Sequence, residues 1–161
     1  MSNTMKEAFE KAGYKSKSNN TMDPDKVKGN SQVSFFLDTD YPAQAEIVIM
    51  ELKKFLGRKY GQFTTSKIRN ILSRVSEIYN DVSLTQNEVL DQDIQNRIAY
   101  LKIRLVYECG REPDIIKPFV EKAKLLELLN AIGDSRKRFI DYAHYMEALV
   151  AYHRYYGGRD N

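Results

Sequence analysis

With 161 residues and 42% hydrophobic content, the chain can form one domain with a buried core. Its net charge of +3 is too small for composition alone to indicate nucleic-acid binding, and its one cysteine and two histidines exclude a disulfide framework and a zinc module. No stretch approaches the roughly 18 apolar residues of a membrane span and the N-terminus has no apolar signal region, so we expect a cytoplasmic protein without metal or cofactor.

Residues 1–34 are predicted to be a flexible polar extension. A short helix-like piece, MKEAFEKAGY, precedes KSKSNNTMDPDKVKGNSQ, whose composition is typical of disordered or linker segments. Residues 1–40 hold six lysines and six acids, so the whole positive excess lies in the rest of the chain. The folded domain is predicted over residues 35–161, beginning near the apolar triplet in VSFFLDTDYP.

Five helices are predicted after residue 40, each from apolar residues spaced three and four apart. They run from Pro42 to Gly57, from about Thr65 to Asn80, from Gln92 to Cys109 with Gly110 as the stop, from Pro113 to about Ile132, and from a cap at Asp134 or Ser135 to Gly157. No segment alternates with the period of two that a half-buried strand requires. The predicted fold class is therefore all-α, a compact five-helix bundle with the polar extension at its N-terminus.

The third predicted helix is apolar on more than one side. Its main stripe is joined by Ile103, Val106 and Tyr107, which lie outside that stripe. A helix that is apolar all round is usually buried, so this helix is predicted to be the most buried of the five.

Two predicted helix starts carry cations where the helix macrodipole favours acids. The segment from Gly57 to Ser76 holds five basic residues and no acid, and SRKRF opens the last helix with three cations; the residues at the two starts are Lys67, Arg69, Arg136, Lys137 and Arg138. A phosphate from a partner would be stabilised at such a helix start, because backbone N–H groups, hydroxyls and cations all attract the same anion. A solvated helix end is the alternative interpretation.

The second predicted helix has a polar flank formed by Lys67, Asn70 and Arg74, whereas Arg69 lies on the other side of the apolar stripe. Because this flank has no aromatic platform, it suits contact with phosphate and ribose rather than base stacking. Neutralising about three phosphates of single-stranded RNA would give a salt slope of log K near −2, which is weak binding for one copy. Useful affinity would then require many copies in a row.

The basic residues of the third helix have acids nearby. Arg97 and Arg104 each have an acid four residues away, Asp93 and Glu108, so intrahelical pairing is predicted for both. Arg111 follows the predicted helix stop and could either satisfy terminal carbonyls or reach outward.

Catalysis has little support in the sequence. His144 and His153 lie on opposite sides of one predicted helix, and HYME is a single His-x-x-Glu rather than a paired metal motif. Cys109 has no basic partner nearby in sequence and falls on a helix predicted to be buried, where thiols are usually inert. No enzymatic activity is therefore predicted.

Three segments, TTSKIRNILSRVSEIYN, RIAYLKIRLVYECGRE and SRKRFIDYAHYMEALVAYHRYYGG, occur in an order and with gaps that resemble the small subunit of the type III-A CRISPR-Cas effector, the Csm interference complex. The resemblance covers roughly Phe35 to the C-terminus. It implies a compact helical subunit without catalytic activity, whose copies stack head to tail in the minor filament and hold target RNA paired with CRISPR RNA in antiviral defence. RNA cutting would belong to the backbone subunit, and DNA cleavage and cyclic oligoadenylate synthesis to the large subunit.

The resemblance also implies which residues face RNA. The primary candidates are Lys67, Arg69, Arg136 and Arg138, and the secondary candidates are Arg74, Lys102, Arg111 and Lys137. The implied partners are CRISPR RNA, target RNA, neighbouring copies of the chain, and the backbone and large subunits. Two alternatives stay open: a sequence-specific DNA-binding protein that uses the second helix for recognition, and a scaffolding subunit whose basic clusters are solvated or meet acidic protein neighbours.

Overall fold

The computed structural model describes residue 37 and residues 40–161; the extension predicted over residues 1–34 lies outside these residues. Residues 40–161 form six α-helices, one 3-10 helix and no β-strand. The α-helices are α1 (Tyr41–Leu56), α2 (Thr65–Leu84), α3 (Gln92–Arg111), α4 (Ile116–Lys122), α5 (Leu125–Ile132) and α6 (Arg136–Tyr155), and the 3-10 helix Gly57–Gln62 follows α1. The all-α fold class is confirmed, whereas the predicted count of five helices is wrong.

The helix predicted from Pro113 to Ile132 is divided into two short helices, α4 and α5. Lys124, between them, has left-handed backbone angles of φ 53° and ψ 36°, a conformation that costs a non-glycine residue roughly 1–2 kcal/mol. No glycine or proline marks this break, and the spacing of the apolar residues does not reveal it either. Pro113 does not start α4 either, since a turn over residues 113–115 precedes the first helical residue, Ile116.

Two predictions for the third helix are also wrong. α3 continues through Gly110 to Arg111, and the Glu112 N–H still bonds the Glu108 carbonyl at 3.0 Å. α3 is not the most buried helix, because its neighbours cover only the stripe Ile94, Ile98, Leu101 and Leu105. The other large apolar side chains of α3 are 50–63% exposed, namely Tyr100, Ile103, Val106 and Tyr107.

The four long helices contact one another in the order α1, α6, α2, α3. α6 packs against both α1 and α2, and α2 packs against α3. Of the short helices, α4 contacts α1, α3 and α5, and α5 also contacts α3 and α6. α1 and α3 do not contact each other. Both instead contact α4, so the helices surround one common core.

Each long helix begins with a side-chain cap. Asp40, Thr64, Asp91 and Ser135 each accept a hydrogen bond from the backbone N–H three residues further on, which satisfies one of the donors left open at a helix start. The predicted cap at Ser135 is thereby confirmed.

The C-terminal segment folds back on two parts of the domain. The Thr65 N–H, at the start of α2, donates to the Arg159 carbonyl at 2.7 Å, and the Gly158 N–H donates to the His153 carbonyl at 2.8 Å. His153 itself is fully buried, with Nδ1 2.8 Å from the Tyr60 hydroxyl. The end of the chain therefore belongs to the packed domain.

Candidate nucleic-acid interface

A groove with a volume of about 310 Å³ lies between α2 and α3. Because α2 packs against α3, the polar flank of each helix faces the same depression. α2 contributes Lys67, Asn70 and Arg74, and α3 contributes Arg104 and Arg111. Side chains that are far apart in sequence are thus brought to one surface.

The groove has an excess of positive charge. Its four cations face two carboxylates, Glu108 and Glu112, which leaves a net charge of +2. Lys67 forms an ion pair with Glu112, and Arg111 forms one with Glu108 at 2.6 Å. Arg74 is exposed and forms no ion pair with the residues that the structure describes. The groove therefore offers cationic donors to an anion from outside.

Arg104 occupies the middle of the groove. Its guanidinium lies 5.4 Å from the centre of the Tyr107 ring and only loosely, at 4.0 Å, from Glu108. Its Nε is buried and has no hydrogen-bond partner among the described residues, although a buried donor normally has one. The Arg104 side chain as a whole is 32% exposed, so a phosphate in the groove would meet its terminal guanidinium nitrogens rather than the buried Nε.

A second depression, also of about 310 Å³, continues the groove along both helices. It shares Arg74 and Arg104 with the first and adds Arg97 and Tyr100 of α3. Arg97 pairs with Asp81 of α2 at 2.5 Å. The two depressions form one track, which we call the basic groove.

Three of the eight RNA-facing candidates from the sequence lie in the basic groove: Lys67, Arg74 and Arg111. The sequence prediction left out Arg97 and Arg104, because each had an acid four residues away in α3. Their spacing was a usable signal, since Arg97, Arg104 and Arg111 recur every seven residues and so share one flank of the helix.

Arg69 lies outside the groove, on the exposed side of the α2 start. It is 3.9 Å from Asp160, and Ser66 Oγ donates to the Asp160 carbonyl at 2.5 Å. The C-terminal segment of the chain therefore contacts a cation and a hydroxyl at the α2 start, groups that the sequence analysis assigned to a phosphate.

The SRKRF cations lie at the other end of α2. Arg136 Nε donates to the carbonyl of Val82 near the end of α2. Val82 is fifteen residues after Lys67, so the two residues are about 22 Å apart along the helix. Arg138 bonds the Ala131 carbonyl at 2.8 Å and Lys137 pairs with Asp141 at 2.7 Å. These three cations form a separate cluster from the basic groove.

Lys102 is also separate from the basic groove. Its Nζ donates to Asn130 of α5 at 2.6 Å, on the side of α3 that faces the short helices. The structure thus divides the eight candidates among four places: the groove, the α2 start, the α6 start and the α3–α5 contact.

The described residues contain no group of three or more histidines, cysteines or acids that could hold a metal ion. Cys109 is half-buried, and burial raises the pKa of its thiol, which disfavours the reactive thiolate. No helix in the described part of the chain is long and apolar enough to cross a membrane.

Comparison with known proteins gives consistent matches. Residues 46–159 match the family model described as Csm2 Type III-A. Proteins named "CRISPR system Cms protein Csm2" are similar over most of the chain. The one from Mycobacterium tuberculosis is 38% identical over 124 residues, covering 77% of this chain and 97% of that protein. The one from Streptococcus thermophilus is 38% identical over 128 residues, covering 80% of this chain and 100% of that protein. The one from Enterococcus italicus is 36% identical over 99 residues, covering 60% of this chain and 70% of that protein.

Proposed function

Because the chain belongs to the Csm2 family, the small subunits of type III-A Csm complexes, we propose that it is a non-catalytic RNA-binding subunit of the Csm interference complex. In this role it acts in the cytoplasm in antiviral defence. Copies stack as the minor filament and hold target RNA paired with CRISPR RNA, beside the backbone and large subunits. The observation that supports RNA contact most directly is the basic groove between α2 and α3.

The chemistry of the groove favours the RNA backbone over the bases. Its donors are guanidinium, ammonium and amide groups, among them the partly exposed guanidinium of Arg104. Such groups bind phosphate and ribose without reading sequence. In a guided complex, base pairing selects the target, so the protein needs only to hold backbone and shape.

Sequence-specific DNA recognition by α2 has less support. A recognition helix must protrude to enter the major groove of duplex DNA. α2 is flanked by α6 and α3 and contacts both. The cations of α2 that line the basic groove therefore share it with α3 rather than standing on a protruding helix.

Reversing one groove charge tests the proposal. We expect Arg74→Glu, carried by every copy in a reconstituted complex, to weaken target RNA retention regardless of RNA sequence, because the groove's net charge falls from +2 to zero. Loss of one phosphate contact per copy should also reduce the magnitude of the salt slope by about 1 for each copy that contacts the RNA. RNA release is measured at several salt concentrations.

Arg58→Glu is the matched control. Arg58 is also exposed, but it lies on the 3-10 helix and outside the basic groove. The proposal requires Arg58→Glu to leave retention and its salt slope unchanged. Normal retention with Arg74→Glu would favour the scaffolding alternative. An equal loss with both variants would show that overall charge, rather than the groove, holds the RNA.

A further inference from the structure

One flank of α3 alternates arginine with tyrosine. Its members follow one another at intervals of three, four, three and four residues: Arg97, Tyr100, Arg104, Tyr107 and Arg111. These intervals place all five side chains within about 80° of the helix circumference, beside the buried stripe of α3 rather than opposite it. We call this flank the Arg–Tyr stripe.

The Arg–Tyr stripe borders the basic groove. Its three arginines and Tyr100 line the groove, and Tyr107 adjoins it through Arg104, whose guanidinium lies 5.4 Å from the centre of the Tyr107 ring. Tyr100 and Tyr107 are 58% and 56% exposed. A strand that lies in the groove can therefore reach both phenol rings.

Contacts within the domain position the arginines of the stripe. Arg97 pairs with Asp81 of α2 at 2.5 Å, and Arg111 pairs with Glu108 at 2.6 Å. A guanidinium has five N–H donors, so one carboxylate leaves others open to a phosphate. The stripe thus offers positioned cations on both sides of each exposed ring.

This combination of side chains is typical of surfaces that bind single-stranded nucleic acid. Such surfaces combine cations that follow the backbone with aromatic rings on which successive bases stack. Single exposed tyrosines are common on protein surfaces, whereas two that alternate with three arginines form a patterned surface. Arginine and tyrosine are also frequent at protein interfaces, but the positive charge of the stripe and its continuity with the basic groove favour RNA.

We propose that Tyr100 and Tyr107 stack against unpaired bases of the RNA strand whose backbone lies in the basic groove. This inference rests on the proposed function and adds a contact with the bases to it. Every base has a π face, so stacking accepts any sequence and leaves target selection to pairing with the guide. The bases held here are unpaired ones, because only bases freed from a helix can be splayed out onto a side chain.

The spacing of the rings assigns them to separate bases. Positions 100 and 107 lie about 10 Å apart along α3. This separation is about three times the 3.4 Å step between neighbouring bases of a stacked strand. Each ring therefore takes its own base, with Arg104 between the two.

An abasic oligomer tests the inference, because it keeps the phosphates and lacks the bases. Affinities of the full-length chain for a short fluorescent single-stranded RNA and for an abasic oligomer of equal length are measured at low salt. We expect the RNA to bind about fivefold or more tightly than the abasic oligomer for each base that stacks. Replacing both tyrosines, Tyr100→Ala with Tyr107→Ala, should abolish this preference, whereas Tyr100→Phe with Tyr107→Phe should keep it because the rings remain.

Tyr155→Ala is the matched control. Tyr155 is 78% exposed and lies at the end of α6, outside the Arg–Tyr stripe. The inference requires this variant to keep the full preference for RNA over the abasic oligomer. An equal loss with Tyr155→Ala would show that the effect does not belong to the stripe.

Three further outcomes would overturn the inference. They are equal affinity of the unchanged chain for the two oligomers, a preference for RNA that survives loss of both tyrosines, and no binding of either oligomer at low salt. Equal affinities would assign the tyrosines to a protein partner instead. The Arg74→Glu experiment in the assembled complex judges the backbone contact separately, so failure of base stacking and failure of the proposed function are distinguishable.

Discussion

His153 is a buried ionisable side chain in the core. It is fully buried, with the Phe63 ring centre 4.6 Å from its own and the Tyr60 hydroxyl at Nδ1. Burial, assisted by the nearby charge of Arg154, lowers its pKa from 6.5 to about 4. His153 is therefore uncharged in the folded domain at neutral pH.

This shift predicts how stability depends on pH. Between pH 6.5 and about 4 the unfolded chain binds a proton at His153 that the folded domain excludes, so stability is lost as the pH falls through this window. The loss is on the order of 3 kcal/mol when the window has been crossed. Urea unfolding at pH 7 and pH 4.5 measures it, and His153→Gln should lose less stability over the same interval because it cannot titrate.

An NMR titration checks the cause directly. The His153 ring resonances should remain those of the neutral form until the pH approaches 4. A midpoint near 6.5 would contradict this account of the core.

At the scale of elements, the C-terminal segment is held closely against α6. A Cβ at Gly158 would lie 2.3 Å from Nε2 of His153, a ring that cannot move aside because it is buried. We expect Gly158→Ala to destabilise the domain by roughly 1–3 kcal/mol, the usual range for overpacking. Thermal unfolding measures the change.

Gly61→Ala is the matched control for this substitution. A Cβ at Gly61 meets nothing within 4 Å and the residue needs no positive φ, so stability should stay equal or rise by up to about 1 kcal/mol. Equal effects of the two substitutions would show that the C-terminal segment does not pack as described.

The sequence predicted helices well where the chain marks them locally. Thr64 and Ser135 cap helices because their hydroxyls accept backbone N–H groups, which is a property of a few adjacent residues. The break at Lys124 was not predictable, since a lysine there gives no sign of a left-handed backbone. The exposed side of α3 was missed for another reason: apolar residues on the solvent-facing side of a helix look the same in sequence as those in a core.

The candidate site was predictable only in part, because it depends on how two helices are placed. The flank containing Lys67 and Arg74 follows from helical spacing within α2. The contribution of α3 requires the packing of α2 against α3. Arg97 illustrates the difference, since its partner is Asp81 of the neighbouring helix rather than Asp93 of its own.

At the scale of the whole molecule, the proposed stacking and the basic groove act together. The basic groove runs between α2 and α3. Copies stacked in a row would therefore repeat the groove at regular intervals. Weak phosphate contacts in each copy would then add along one RNA strand.

The central claim is that the basic groove holds the backbone of target RNA. The most direct measurement is a structure of the assembled complex with target RNA bound. We predict RNA phosphate oxygens within hydrogen-bond distance, about 3 Å, of Arg74 and Arg104 in successive copies. RNA bound instead at the Arg136–Arg138 cluster, with the groove filled by side chains of another subunit, would contradict the claim.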